Sequence, residues 1–211
     1  AVTGTAGQVA LALAERGPPA GVDVIAVERP GLDLMRPDSV LPALRAAEAD
    51  AIVSAAAYTA VDQAEGDAAT AFSVNAAGAG AVAAAAREMG VPLLHLSTDY
   101  VFDGALDRPY REDDPTAPLG VYGASKLAGE EAVLSAGGRA AVFRTAWVYS
   151  PFGRNFVKTM VGLAASRSEV SVVADQQGRP TSALDIADAL VAAARRLVSA
   201  PQDPALQGVF H

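Results

Sequence analysis

A chain of 211 residues with a net charge of −8, 51% hydrophobic residues and no cysteine already excludes several kinds of protein. It is long enough to bury one substantial core, and its acidity argues against a nucleic-acid partner. Without cysteine it has no disulfide or thiolate metal site, and its apolar stretches, interrupted by Gly and polar residues, predict no membrane partner and no leader.

In chain order, short apolar runs at 1–3, 23–27, 51–54, 92–97, 140–144 and 169–173 read as strands. Helical patterns lie between them at 8–16, 39–47, 67–89, 122–136, 155–166 and 182–198. Strand–helix alternation with continuously apolar strands predicts βαβ units, hence an α/β fold with a doubly wound, Rossmann-like parallel sheet. Residues 1–150 are expected to form a dinucleotide-binding domain. Residues 151–211 are expected to add to the sheet and to begin a smaller substrate region that is incomplete here. Both ends read as cut strands, the last being Gly208-Val209-Phe210-His211. The Pro-rich, charged segment 103–119 reads as a long surface loop of the kind that often carries function.

The first strand runs into Gly4-Thr5-Ala6-Gly7-Gln8-Val9-Ala10 and then a helix. Glycines permit a tight turn and close approach to a pyrophosphate, and the helix start offers free N–H groups to the same anion. Glu28 follows at about the spacing at which an acid holds the ribose 2′-hydroxyl of NAD, and Arg29 beside it suits the 2′-phosphate of NADP. Both cofactors, NADH and NADPH, therefore remain open.

Tyr122 and Lys126 stand four residues apart in a helical run, which puts phenol and ammonium on one face. The sequence has only two lysines, Lys126 and Lys158, so the pairing is not a common accident. A nearby ammonium favours phenolate, which would bring proton exchange by Tyr122 closer to neutral pH. His95, in an apolar strand, reads as a structural histidine. Asn75, in mid-helix, reads as a polar residue bridging to a strand carbonyl through water.

Together with the turn at 4–10 and the Tyr122–Lys126 pair, three further segments carry a family likeness. They are Ala55-Ala56-Ala57-Tyr58-Thr59-Ala60-Val61-Asp62-Gln63-Ala64-Glu65, Leu96-Ser97-Thr98-Asp99-Tyr100-Val101-Phe102-Asp103-Gly104 and Arg144-Thr145-Ala146-Trp147-Val148-Tyr149. With Asn155-Phe156, Asp175-Gln176 and Gly178-Arg179-Pro180-Thr181, they resemble the extended short-chain dehydrogenases/reductases, and within them the dTDP-4-dehydrorhamnose reductases. The resemblance spans essentially the whole chain. It implies a cytoplasmic oxidoreductase that reduces a 4-keto group on a dTDP-sugar with NADPH or NADH in the making of dTDP-L-rhamnose. It also allows a homodimer.

Carried over by position, the resemblance implies that Gly4, Gly7, Gln8 and Val9 line the cofactor pyrophosphate. Glu28, Arg29, Asp33 and Leu34 would border the adenosine half, and Ala56, Ala57, Tyr58 and Thr59 would run towards the nicotinamide. Tyr122 would donate the proton, Lys126 would hold the nicotinamide ribose, and Thr98 would stand at the catalytic Ser/Thr position. Thr98, Asp99, Tyr122 and Trp147 would meet the sugar. The positions matching metal-site acids of some relatives are Ala12 and Leu184, so no metal is expected. Three alternative readings differ in outcome. A nucleotide-sugar 4-epimerase consumes no net NAD(P)H, while a 4,6-dehydratase needs an acid pair that Thr98-Asp99-Tyr100 does not supply. A non-catalytic dinucleotide-binding subunit would tolerate loss of Tyr122 or Lys126, and both are present.

Overall fold

The computed structural model describes residues 1–211. Six strands form one parallel sheet: β1 (Val2–Thr3), β2 (Ala26–Val27), β3 (Ile52–Ser54), β4 (Leu93–Thr98), β5 (Ala140–Thr145) and, at the end of the chain, Gly208–Phe210. The order is β2-β1-β3-β4-β5 followed by that last strand. From β1 the chain steps outward to β2, then returns to the other side of β1 as β3. The reversal lies between β1 and β3, and open α/β sheets bind ligands in the crevice this leaves at the carboxyl ends of their strands.

Period-two side-chain alternation divides the core into two layers. Ile52, Leu93, Ala140 and Val142 face one layer, packed with Val40 and Leu44 of α2 (Val40–Ala46) and with Val82, Ala83 and Ala86. Val2, Val53, Leu94 and Ala141 face the other, against Val9, Ala12 and Leu13 of α1 (Gln8–Arg16) and a long C-terminal helix, Ala183–Ser199. Ala12 is wholly buried in that packing and Leu184 lies at its border.

Several expectations are corrected here. The pattern at 67–89 is not one α-helix. Between α3 (Val61–Ala64) and the sheet, the chain forms α4 (Ala68–Phe72), a π-helical stretch Ser73–Gly78 and α5 (Ala79–Met89). The combined helix is 22 residues long and apolar enough to cross a bilayer, contrary to the reading of broken apolar runs. Here Ala79, Val82, Ala83, Ala85 and Ala86 pack instead into the core of the sheet. Residues 169–173 form no strand, and Val172 and Val173 are exposed. The slot beside β5 is taken by Gly208–Phe210, which pairs with Ala141–Phe143, so the Val-rich segment has no ladder to join. The terminal strand is therefore an integral member of the main sheet.

The remaining elements are α6 (Val121–Ser135), β6 (Val148–Tyr149), α7 (Phe156–Ala164) and β7 (Thr181–Ser182), and the C-terminal helix and last strand are α8 (Ala183–Ser199) and β8 (Gly208–Phe210). β6 and β7 form a separate two-stranded parallel ladder.

Candidate active site

At the carboxyl ends of β1, β3 and β4 lies a cavity of about 1120 Å³. Every cofactor, catalytic and substrate residue expected from the sequence lines it: Gly4, Gly7, Gln8, Val9, Glu28, Arg29, Asp33, Leu34, Ala56, Ala57, Tyr58, Thr59, Thr98, Asp99, Tyr122, Lys126 and Trp147.

Gly4 turns with φ +85°, a backbone region closed to most residues, and a Cβ built on it would fall 3.4 Å from the Ala56 Cβ. Gly7 starts α1 in extended conformation, and a Cβ built on it would meet no atom within 4 Å. The helix N-terminus, with unpaired N–H groups and a positive dipole end, thus opens onto free space shaped for an anion. Thr3 joins the two loops of the switch point, its buried hydroxyl accepting from Ala55 N and Ala56 N at 3.0 Å each. The sequence reading missed this role, because a lone strand threonine carries no pattern.

Glu28 accepts a hydrogen bond from the Thr5 hydroxyl, while Arg29 next to it forms no ion pair. Asp33 caps its own turn by accepting from Met35 N at 3.0 Å, so its carboxylate is partly committed to local structure. Leu34 is buried against Gly78, where a Cβ would come within 2.7 Å of the Leu34 Cβ.

Asn75 explains the π-helical widening. Its Oδ1 accepts from Tyr58 N at 2.8 Å, and its Nδ2 donates to Tyr58 O and to Ser125 Oγ, each at 3.0 Å. The Asn75 side chain thus contacts loop 55–59 and α6 directly. Ser125 Oγ in turn donates to Tyr122 O at 2.8 Å, so one buried amide ties the cofactor loop to the helix bearing the phenol. The first turn of α6 is capped from afar, Glu65 Oε1 accepting from Val121 N at 2.8 Å.

Tyr122, Lys126 and Thr98 all line this cavity. Thr98, at the end of β4, lies beside the Tyr122 phenol; its hydroxyl donates to Asp99 Oδ1 at 3.2 Å and accepts from Tyr100 N at 3.2 Å. The Tyr100 ring packs edge-on against Tyr122 with centroids 5.6 Å apart. Burial pushes the Tyr122 phenol up to about 12, and the Thr98 hydrogen bond opposes that only in part. This corrects the expectation of a phenol brought towards neutrality by Lys126. The Lys126 amine instead donates to Leu96 O at 2.7 Å and lies 3.5 Å from His95 Nε2. Burial holds that amine down to about 8, with Glu130 opposing the shift.

His95 is fully buried, and burial followed by the Lys126 charge keeps its pKa well below the ordinary histidine value, so the imidazole is neutral. It touches Lys126 behind the wall of the cavity. Asp99 is raised by burial, and hydrogen bonds from Thr98 and nearby backbone oppose this.

Behind Lys126, a turn further along α6, Glu130 pairs with Arg144 of β5. Arg144 Nε and Nη2 donate to its two oxygens at 2.9 and 2.7 Å, and Ser97 Oγ donates to Oε1 at 2.5 Å. The guanidinium also lies 4.9 Å from the Phe102 ring centroid. Trp147 sits in the left-handed region at φ +45° and packs over Gly178, where a Cβ would fall 2.5 Å from the indole. The sequence reading also missed Thr145, Arg154 and Phe156, which line the same cavity. The Asn155-Phe156 pair was the one signal pointing to that wall.

Comparison with known proteins agrees with this arrangement. The family model "RmlD substrate binding domain" matches residues 1–211. A dTDP-4-dehydrorhamnose reductase of Sinorhizobium fredii is 52% identical over 211 residues, covering 100% of this chain and 71% of the relative. The chain belongs to the dTDP-4-dehydrorhamnose reductase family. A crystal structure of the Bacillus anthracis member, in complex with NADP, superposes with a TM-score of 0.90 at 37% identity, covering 100% of this chain and 72% of that one. A Streptomyces antibioticus protein, named a probable dTDP-4,6-dihydroxy-2-methyloxan-3-one 4-ketoreductase, is 43% identical over 211 residues, covering 100% of this chain and 69% of its own. The family thus includes reductases named for different dTDP-ketosugars.

Proposed function

We propose that this protein reduces the 4-keto group of dTDP-4-dehydro-L-rhamnose to give dTDP-L-rhamnose, acting in the cytoplasm with NADPH or NADH. The observation that carries this reading is the convergence of Tyr122, Thr98 and Lys126 in the same cavity as the glycine turn. The open space above Gly7 and the free helix start fit a dinucleotide pyrophosphate held by the backbone of Gly4, Gly7, Gln8 and Val9. Glu28 and Arg29 would meet the adenosine ribose, Ala56 to Thr59 would flank the nicotinamide half, and Lys126 would bind its ribose. When bound, the nicotinamide supplies the hydride.

The protein's part is to polarise the carbonyl and deliver a proton. Negative charge grows on the sugar oxygen during reduction, and a hydrogen-bond donor aimed at that oxygen relieves it. Tyr122, held neutral at physiological pH by its burial, carries the proton needed there, and Thr98 supplies a second hydrogen bond. Lys126, its amine held by Leu96 O, serves the cofactor side of the site rather than the phenol. Asp99 and Trp147, on the same wall, would hold the sugar.

The test is loss of absorbance at the nicotinamide band with dTDP-4-dehydro-L-rhamnose and each cofactor in turn. One NAD(P)H consumed per ketosugar supports the reading. Turnover without net consumption would replace it by an epimerase, and dinucleotide binding without turnover by a regulatory subunit.

A further inference from the structure

Gln8 belongs to the phosphate turn, yet its side chain serves the opposite wall of the cavity. Asn155 fixes the sense of the contact. Its Oδ1 accepts from Lys158 N at 3.0 Å to cap α7, so its Nδ2 must face outward. That Nδ2 donates to Ser150 O at 2.8 Å and to Gln8 Oε1 at 3.0 Å. Ser150 Oγ donates to the same Gln8 oxygen at 2.8 Å, and Gln8 Nε2 donates to Val148 O at 3.1 Å. One amide thus fastens residues 148–155 at three points. Gly153 brings the backbone close, a Cβ there falling 3.5 Å from Gln8 Cγ.

This fastened segment carries cavity groups at both ends: Trp147 before it, Arg154 and Phe156 at and beyond its close. In sheet terms it is weakly held, since β6 pairs only with the two-residue β7. The backbone N–H of Gln8 meanwhile belongs to the first turn of α1, where a pyrophosphate would sit.

We infer that Gln8 is a positioning residue that couples dinucleotide occupancy of the phosphate turn to the placement of the sugar-side segment 147–156. The inference rests on the reductase reading for the identity of the second ligand. An anion on the Gln8 N–H adds a tether to a residue whose amide already fastens 148–155, so it strengthens the hold on Trp147, Arg154 and Phe156 in the arrangement that receives the sugar nucleotide. By linkage the effect is reciprocal, so sugar-nucleotide binding tightens the hold on the dinucleotide by the same factor.

The test compares wild-type full chain with Gln8→Met, which keeps length and loses the hydrogen bonds, and with Asn155→Ala, which cuts the link away from the phosphate turn. Two quantities are read: dTDP affinity with and without saturating NADP⁺, and hydrogen exchange in peptides spanning 147–156. In the wild type, NADP⁺ should tighten dTDP binding by a factor on the order of five and slow exchange in those peptides. Both effects should vanish in the two variants, and in Asn155→Ala, which lies outside the phosphate turn, NADP⁺ affinity stays within about threefold of wild type. The inference is overturned if either variant keeps the wild-type coupling, if NADP⁺ affinity and melting temperature fall with coupling intact, or if NADP⁺ never protects 147–156. A wild type that shows NADP⁺-dependent protection but binds no dTDP refutes the reductase reading instead, and the exchange data still decide the role of Gln8.

Discussion

Tyr122 and Lys126 are shifted in opposite directions by the same cause. Each loses water, which penalises phenolate at one and ammonium at the other, so the phenol moves up to about 12 and the amine down to about 8. For a reduction both starting states suit the chemistry, a neutral acid beside a cation. Replacing Tyr122 with Phe removes the donor but leaves the cavity wall, so turnover should fall by roughly 10² to 10⁴ with NADP⁺ affinity unchanged by titration. Lys126 sets an alkaline limb: kcat/KM should decline as pH rises through about 8, where the free protein loses this charge. The stability effect has the opposite sign. The unfolded lysine keeps its proton up to about 10.5, so the cofactor-free protein gains stability from pH 8 to 10.5 and loses it as pH falls back through 8. The full effect is about 3 kcal/mol. Urea unfolding of wild type and Lys126→Met across that range should show the difference shrinking as pH rises. A gap that stays constant would count against a buried, destabilising ammonium.

Helix α6 is placed by close approach more than by greasy contact. Gly129 lets it meet the widened turn at Asn75, where a Cβ would fall 2.1 Å from the Asn75 carbonyl oxygen. Backbone cannot yield as a side-chain tip can, so Gly129→Ala should push the helices apart. Overpacking of this kind costs about 1–3 kcal/mol and should appear as a lower urea midpoint at unchanged slope. Activity should fall with it, because Ser125 and Tyr122 ride on the displaced turn. None of this was legible in the sequence. Helical periodicity over 67–89 predicts a helix but does not separate α from π turns, since the extra residue at Asn75 is required by partners on two distant segments. The same limit explains 169–173, where a β-branched run met no ladder. It also explains the Glu65 cap on α6, made by a residue 56 positions earlier.

Across the whole molecule, the adjacent strands β4 and β5 are joined to α6 at one buried ion pair. Glu130 and Arg144 have side chains only 3% and 6% exposed, with Ser97 of β4 donating a further hydrogen bond to Glu130. Removing one partner of such a pair leaves a buried charge alone, which typically costs about 3–5 kcal/mol. Glu130→Ala should therefore lose that much stability in chemical denaturation, and added salt should do little to change it because the pair is shielded from solvent. The surface pairs Arg16–Asp188 and Arg45–Glu88 offer the contrast, and their removal should have little effect.

Strand–helix alternation was enough to determine the fold class, while the glycine turn, the Tyr-Lys spacing and the family likeness pointed to residues that the fold gathers around one cavity. These features are local, each carried by periodicity or by a short motif whose chemistry needs those residues at that spacing. Tertiary structure alone decided the ionisation of Tyr122 and Lys126, the reach of Gln8 to Asn155, the Asn75 clamp and the place of β8 beside β5. Each of those depends on which distant segments exclude water from, or supply partners to, a given group. Desolvation and long-range hydrogen bonding have no period along the chain, and so leave no mark that a linear reading can find.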